Sequence, residues 1–312
     1  MENCLEHALR PLVKGILRRT TGLCELQRIC YDEPAGAPRV SKLEQSLSRS
    51  RNSEIKRLVQ YLNRAADERI IRSPQTRTII CNSVHAIYQI KSIKPHVHQV
   101  FEKLSGDCIG AIWGYKQLFY EVEDLRKVAY DSNNPEHEAK LLQLWNLLMP
   151  NQLLNSRISE CWKEIGFQGE DPKTDFRGMG LLGLENLLYF AQNYSNACLH
   201  VLSHSHHPKY GYSFAITGIN LTHMAYILWK DGSAKTHVYN ASQQPKSEIP
   251  SMKYFHQFYC YLFYEFDKLW LSEKPSNVME FSRVRDMFEG RIRQMLANPH
   301  TIFKLNFHID CI

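Results

Sequence analysis

Apolar residues recur at intervals of three and four over most of the chain, the spacing that lines up one face of a helix. In IGAIWGYKQLFYEVEDLRKVAY, the residues Ile112, Tyr115, Leu118, Phe119, Val122 and Leu125 form one such stripe. In SNNPEHEAKLLQLWNLLMP the stripe is Leu141, Leu144, Trp145 and Leu148, between a capping Ser132 or Asn134 before Pro135 and a stop at Pro150. RISECWKEIGF, GLLGLENLLYFAQNY, YSFAITGINLTHMAYILWKDG, MKYFHQFYCYLFYEFDKLWLSE and VMEFSRVRDMFEGRIRQMLA carry the same period, with Gly232 placed as a terminator. Upstream, RLVQYLNRAADERIIRS predicts a helix stopping before Pro74, and residues 76–104 predict more helix, broken at Pro95. Period-two alternation is scarce; AKTHVYNA is the one short strand expected. The predicted fold class is all-α: an irregular multi-helix globular domain with an N-terminal helical extension.

The opening 31 residues predict a basic amphipathic helix. Leu5, Leu9, Leu12 and Ile16 share one face, Arg10, Lys14, Arg18 and Arg19 lie on others, and Pro11 is expected to kink or delay it. Such a helix suits packing on the protein body or contact with a membrane surface through residues 1–20. Residues 32–56, rich in Pro, Gly, Ser and charge, read as a linker or irregular segment. The expected organisation is 1–31 as the basic segment, 32–106 as linker and N-terminal helices, 107–300 as the main helical domain, and 301–312 as a tail.

Composition narrows the class. Of 312 residues, 44% are apolar and 22% charged, so a sizeable core is expected. No stretch reaches the roughly 18 unbroken apolar residues of a membrane span. The net charge of +6 is spread along the chain, without the basic block of a nucleic-acid binder. Nine cysteines, none in a C-x-x-C pair, read as reduced and mostly buried thiols.

Chemistry concentrates in TDFRGMGLLGLENLLYF. Gly178, Gly180 and Gly183 have the G-x-G-x-x-G spacing of a dinucleotide loop. That loop needs a buried strand before it and an acidic residue about twenty positions on. Here GEDPKTDFR precedes it and NACLHVLSHSHH follows, so packing of a helix with apolar residues Leu181, Leu184 and Leu188 is the better reading. No G-x-x-x-x-G-K-[ST] or G-x-S-x-G occurs. His204, His206 and His207 lack the spacing of a metal set and read as a solvated loop. Arg177 stands between an acidic turn and this helix. It is either tied to Glu170, Asp171, Asp175 or backbone carbonyls, or projected, where its planar fork of donors suits phosphate oxygens.

The stretch WKEIGFQGEDPKTDFRGMGLLGLENLLYF, residues 162–190, resembles the signature of the ELMO-domain-containing proteins, W-x3-G-F-Q-x3-P-x-T-D-F-R-G-x-G-x3-L, at every fixed position. TGLCELQRI, YDSNNPEHEAKLLQLWNLLMP, HPKYGYSFAITGINLTHMAY and FHQFYCYLFYEFDKLW resemble the small, single-domain branch, so most of residues 20–290 is covered. The resemblance implies an activator of GTP hydrolysis by Arf-family and Arf-like small GTPases, not itself an enzyme. The family's proposed catalytic arginine falls on Arg177. Gln168, Thr174, Asp175, Gly178 and Gly180 become partner-binding or loop-positioning candidates, with Asp175 either orienting the guanidinium or capping the helix. No metal site or cofactor is implied, since GTP and Mg²⁺ belong to the partner. Larger engulfment-and-motility relatives use a similar domain as a scaffold without the arginine, so a non-catalytic binding module is the alternative. The corresponding location is cytoplasmic, peripheral on a mitochondrial, endoplasmic-reticulum or lipid-droplet membrane.

Overall fold

Thirteen α-helices make up the described residues of the computed structural model, which are 2–72, 74–243 and 246–306, with side chains from residue 12 onward except 72. No strand occurs among them. The helices are α1 (Glu2–Thr21), α2 (Glu25–Asp32), α3 (Ala37–Ser48), α4 (Ser53–Asp67), α5 (Thr76–Lys91), α6 (Gln99–Lys127), α7 (Pro135–Leu148), α8 (Gly180–Asn193), α9 (Ser195–Ser205), α10 (Phe214–Lys230), α11 (Lys235–Ala241), α12 (Met252–Glu273) and α13 (Phe281–Leu296). They fall into two units. One takes in the chain to Leu118 together with Lys235–Pro250; the other takes in Phe119–Ala234 and the chain from Ser251.

Two expectations fail in the first unit. The stretch read as a linker forms α3 and the start of α4. Val40, Leu43 and Leu47 are buried at helical spacing, enough apolar surface to outweigh the surrounding Ser and charge. The expected strand AKTHVYNA is α11 instead. Its Lys235 and Tyr239, one helical turn apart, both reach Glu44 of α3, at 2.6 and 3.0 Å, and Asn240 Oδ1 accepts the Ala37 amide at 2.7 Å. Tertiary partners on α3 decide the conformation, not the β-branched and aromatic composition.

Helix α1 is not delayed by Pro11, since it starts at Glu2. Its polar side meets the rest of its unit: Lys14 pairs with Glu25, and Arg18 donates to the Lys91 carbonyl at 3.3 Å. Leu12, Val13, Ile16 and Leu17 are left exposed, Leu12 by 65% and Ile16 by 56%. The side chains of Cys4, Leu5 and Leu9, and the whole of Cys311, lie outside the described set.

In the second unit α8 is buried on almost every side, with Leu181, Leu182, Leu184, Leu187, Leu188 and Phe190 in the core. A helix apolar all round must be central, and α8 packs against α7, α9, α10 and α12. One polar chain crosses that core. The Asn186 side-chain amide donates to Thr222 Oγ1 at 3.0 Å, and its oxygen lies 2.7 Å from His256 Nδ1. Burial lowers the His256 pKa to about 4. The imidazole is therefore neutral, and facing a carbonyl oxygen it carries its proton on Nδ1.

Of the histidine cluster, His206 and His207 lie exposed in the turn and loop after α9, as expected, but His204 is helical and partly buried. His204 ends α9 and holds the buried Asp267 of α12 at 2.7 Å, while Tyr212 donates to the other Asp267 oxygen at 2.7 Å. His206 reaches the Glu164 carbonyl, and His207 accepts the amides of Lys209 and Tyr210. Each ring is engaged separately. Among the described cysteines, Cys24, Cys30, Cys108, Cys198 and Cys260 are buried and all seven are free thiols.

Candidate functional site

Arg177 is the last residue of a 3-10 turn, Pro172–Arg177, that leads into α8. Local chemistry builds this turn. Asp171 accepts the Lys173 amide at 2.9 Å as its cap, and Pro172 occupies the first position, where a missing N–H costs nothing. Six residues of 3-10 helix are long for this conformation, so outside support is needed.

An aromatic chain supplies it. Trp145 and Trp162 meet edge to face at 5.3 Å, Trp162 and Phe167 at 5.8 Å, and Phe167 and Phe176 at 5.6 Å, while Phe176 stacks on Tyr130 at 5.3 Å. Trp162 is fully buried and Phe176 nearly so. Such contacts add about 0.5–1.5 kcal/mol per pair beyond burial. Phe176 thus anchors the residue immediately before the arginine. Gly166, at φ +83°, lets the preceding turn lie on α10: a Cβ there would come within 2.3 Å of the Phe214 amide nitrogen.

Against this rigid base Arg177 is exposed, and it makes no hydrogen bond or ion pair with any described residue. Gly178 beside it is also exposed, with no atom within 4 Å of where a Cβ would stand. Gly180 is different. It is buried at φ +54°, and a Cβ would fall 2.3 Å from the Arg126 carbonyl and 2.4 Å from that of Val128. Leu181 then donates its amide to Val128 at 2.9 Å. Gly180 therefore positions the loop against the end of α6 and does not offer a surface for close approach by a partner.

Asp175 positions the loop, one of the roles expected of it. Its Oδ2 accepts the Gln168 amide at 2.9 Å, tying the Gly166–Gly169 turn to the arginine turn. Partial burial pushes its carboxyl pKa up, against the Gln168 amide and the Arg177 charge, which lower it. Gln168 and Thr174 are exposed, and Thr174 lines the same cleft as Arg177.

Arg157 was not singled out by its sequence. It pairs with Glu138 of α7 at 3.1 Å and with Asp171 at 2.5 Å, and its carbonyl accepts the Trp162 indole N–H at 2.9 Å. It locks the 157–171 segment, including the cap, to α7. No spacing in the sequence marks it, because its partners lie 19 and 14 positions away (157 − 138 and 171 − 157).

Arg177 also borders a cleft of about 440 Å³ between the end of α6 and the 3-10 turn, floored by Tyr130, Phe176 and Gly180. In this all-helical domain a turn beside an open cleft thus carries an exposed guanidinium that is hydrogen-bonded to none of the described residues. The ELMO/CED-12 family matches residues 120–285, which include that turn. Over nearly its whole length the chain is also similar to named relatives. It is 47% identical to the ELMO domain-containing protein 2 of Homo sapiens over 96% of each chain. It is 44% identical to the ELMO domain-containing protein 1 of Pongo abelii, over 92% of this chain and 88% of that one. With the ELMO domain-containing protein B of Dictyostelium discoideum it shares 32%, over 91% and 93%. No solved structure matches. The chain belongs to the ELMO/CED-12 family.

Proposed function

We propose that this protein activates GTP hydrolysis by Arf-family and Arf-like small GTPases, lending Arg177 in trans. The observation that carries the reading is the state of that side chain: exposed, unbonded to described residues, and held on a turn fixed by Phe176, Asp171 and Gly180.

The partner supplies the nucleotide, its Mg²⁺ and the attacking water. Negative charge grows on the phosphoryl oxygens in the transition state, and a guanidinium inserted there stabilises it more than it stabilises the ground state. An arginine of this kind is worth about 10³–10⁵ in rate, roughly 4–7 kcal/mol of barrier. A side chain already committed to a carboxylate would have to break that pair first. Arg177 has no such pair to break among the described residues, and the fixed turn limits the entropy lost on docking. The bare Cα of Gly178 leaves room for the phosphate side of the partner.

The test is stimulated GTP hydrolysis with Arg177→Lys, which keeps the charge and loses the fork. Stimulation should fall by on the order of 10²-fold or more, with the melting curve unchanged. Stimulation equal to the parent's would rule the finger out. Unaltered binding of a GTP-loaded partner with no faster turnover by the parent protein would select a binding module instead.

We also infer peripheral membrane contact through α1. The support is its inverted docking: the polar side is held by Glu25 and the Lys91 carbonyl, and Leu12, Val13, Ile16 and Leu17 face solvent between Arg18 and Arg19 and the chain start. A helix with exposed apolar residues and flanking cations favours an anionic bilayer surface. Among the described residues no helix is long and apolar enough to cross a membrane.

A further inference from the structure

The cleft beside Arg177 has a charge pattern that the arginine alone does not explain. One wall is the end of α6, with Arg126 and Lys127, and the other is the 3-10 turn, with Lys173 and Arg177. No carboxylate lines it. Nearby acids are engaged elsewhere: Asp171 with Arg157, and Asp175 with the Gln168 amide. Glu123 is held by Arg126 through two bonds of 2.9 and 2.8 Å, and the Arg126 guanidinium lies 5.0 Å from the Tyr226 ring. Arg126 is thereby fixed. Lys127 and Lys173 are not. Both are exposed; Lys127 shares Glu123 at 3.3 Å, and the Lys173 ammonium has a 3.4 Å bond to the Ser132 hydroxyl. Exposed Val128 and Ala129 continue the α6 wall as an apolar lip.

Arg126 and Lys127 share the single carboxylate of Glu123, so the four cations of the cleft keep an excess of positive charge that an anionic partner relieves. Resting on the proposed function, we propose that Lys127 and Lys173 form the partner-docking half of this site. Together with the Val128 lip they receive an acidic, partly apolar surface loop of the GTPase next to its nucleotide, while Arg177 reaches the phosphates. Lys173 lines the cleft, exposed and held only by the Ser132 hydroxyl, so it sets affinity and partner choice and leaves the chemistry to Arg177. Charges at the rim of an interface govern encounter and its salt dependence more than the bound geometry.

The experiment uses the full chain against a panel of GTP-loaded Arf and Arf-like proteins, reading stimulated hydrolysis as a function of activator concentration. Lys173→Glu alone, and with Lys127→Gln, should raise the half-saturating concentration on the order of tenfold while the saturating rate stays within about twofold. The difference should close as salt rises from about 0.05 to about 0.5 M. Lys253→Glu, an exposed lysine away from the cleft lining, should change neither. An unchanged half-saturation, in a preparation where Arg177→Lys still abolishes stimulation, overturns the docking proposal and leaves the arginine reading intact. An equal shift from Lys253→Glu overturns it too, because net charge then accounts for the effect. A lower saturating rate at unchanged half-saturation places the lysines in the chemistry and likewise defeats it. A parent that stimulates no member of the panel removes both readings together.

Discussion

Arg177 and Gly180 lie three positions apart and divide the labour of the site. The arginine is exposed and bonded to nothing described, so Arg177→Lys or Arg177→Ala should change stability by less than about 0.5 kcal/mol, the range of surface substitutions. Gly180→Ala should do the reverse. It places a Cβ against two backbone carbonyls at φ +54°, and the left-handed conformation alone costs roughly 1–2 kcal/mol for an L-residue. Thermal unfolding should report a loss above about 2 kcal/mol, and stimulation should fall with it. A Gly180→Ala protein as stable as the parent would contradict the packing described for this turn. The two residues also mark what the sequence discloses. Arg177 was legible because a long, specific resemblance falls on it. The burial of Gly180 was not, because the carbonyls of Arg126 and Val128 that crowd it come from more than fifty residues upstream (180 − 128). Arg157 was hidden for the same reason: an ion pair between segments leaves no periodic trace.

Elements show the same division between local and distant causes. Helices α7, α8, α10, α12 and α13 could be read from their apolar stripes and caps, because the stripe is both the local signal and the buried face. Helices α3 and α11 were misread as linker and strand, since what stabilises each is the other. The contact between α9 and α12 yields a pH prediction. The hydrogen bond to Asp267 raises the His204 pKa against desolvation, which lowers it, and the Asp267 charge adds to the rise. The groups facing His204 are Asp267, its second partner Tyr212, and the His200 ring at 4.1 Å. A raised folded-state pKa means stability that is fully present below about 6.5 and is lost as pH rises through the folded value. The stability difference between the parent and His204→Gln should therefore be about 1–3 kcal/mol near pH 6 and shrink toward pH 9. Buried His237 and His256, with pKa values lowered to about 4, act oppositely: their neutral forms cost stability as pH falls from about 6.5 toward that value. A difference for His204→Gln that is constant with pH would mean that the pair is not charged in the folded state.

At the scale of the molecule, the proposed membrane contact falls on α1 and the proposed GTPase contact on the arginine turn with its cleft. They are separable by mutation. Leu12→Glu with Ile16→Glu should reduce sedimentation with anionic vesicles about tenfold or more, since each buried side chain is worth roughly 1.5–3 kcal/mol, and should leave the saturating rate in solution unaltered. Vesicle binding that survives the double substitution would remove α1 as the contact. The all-helical class and the family were legible in the sequence; the inverted docking of α1 was not, because the apolar stripe states that a face exists and not which side the protein holds. The proposed function turns on one guanidinium, which it has act in another protein's active site. Single-turnover hydrolysis of GTP bound to a panel of Arf and Arf-like GTPases, with parent and Arg177→Lys side by side, tests that most directly. The expected result is acceleration of at least one member by on the order of 10³-fold and its near-complete loss in Arg177→Lys at equal partner binding. Acceleration that survives the substitution, or none across the panel, would contradict it.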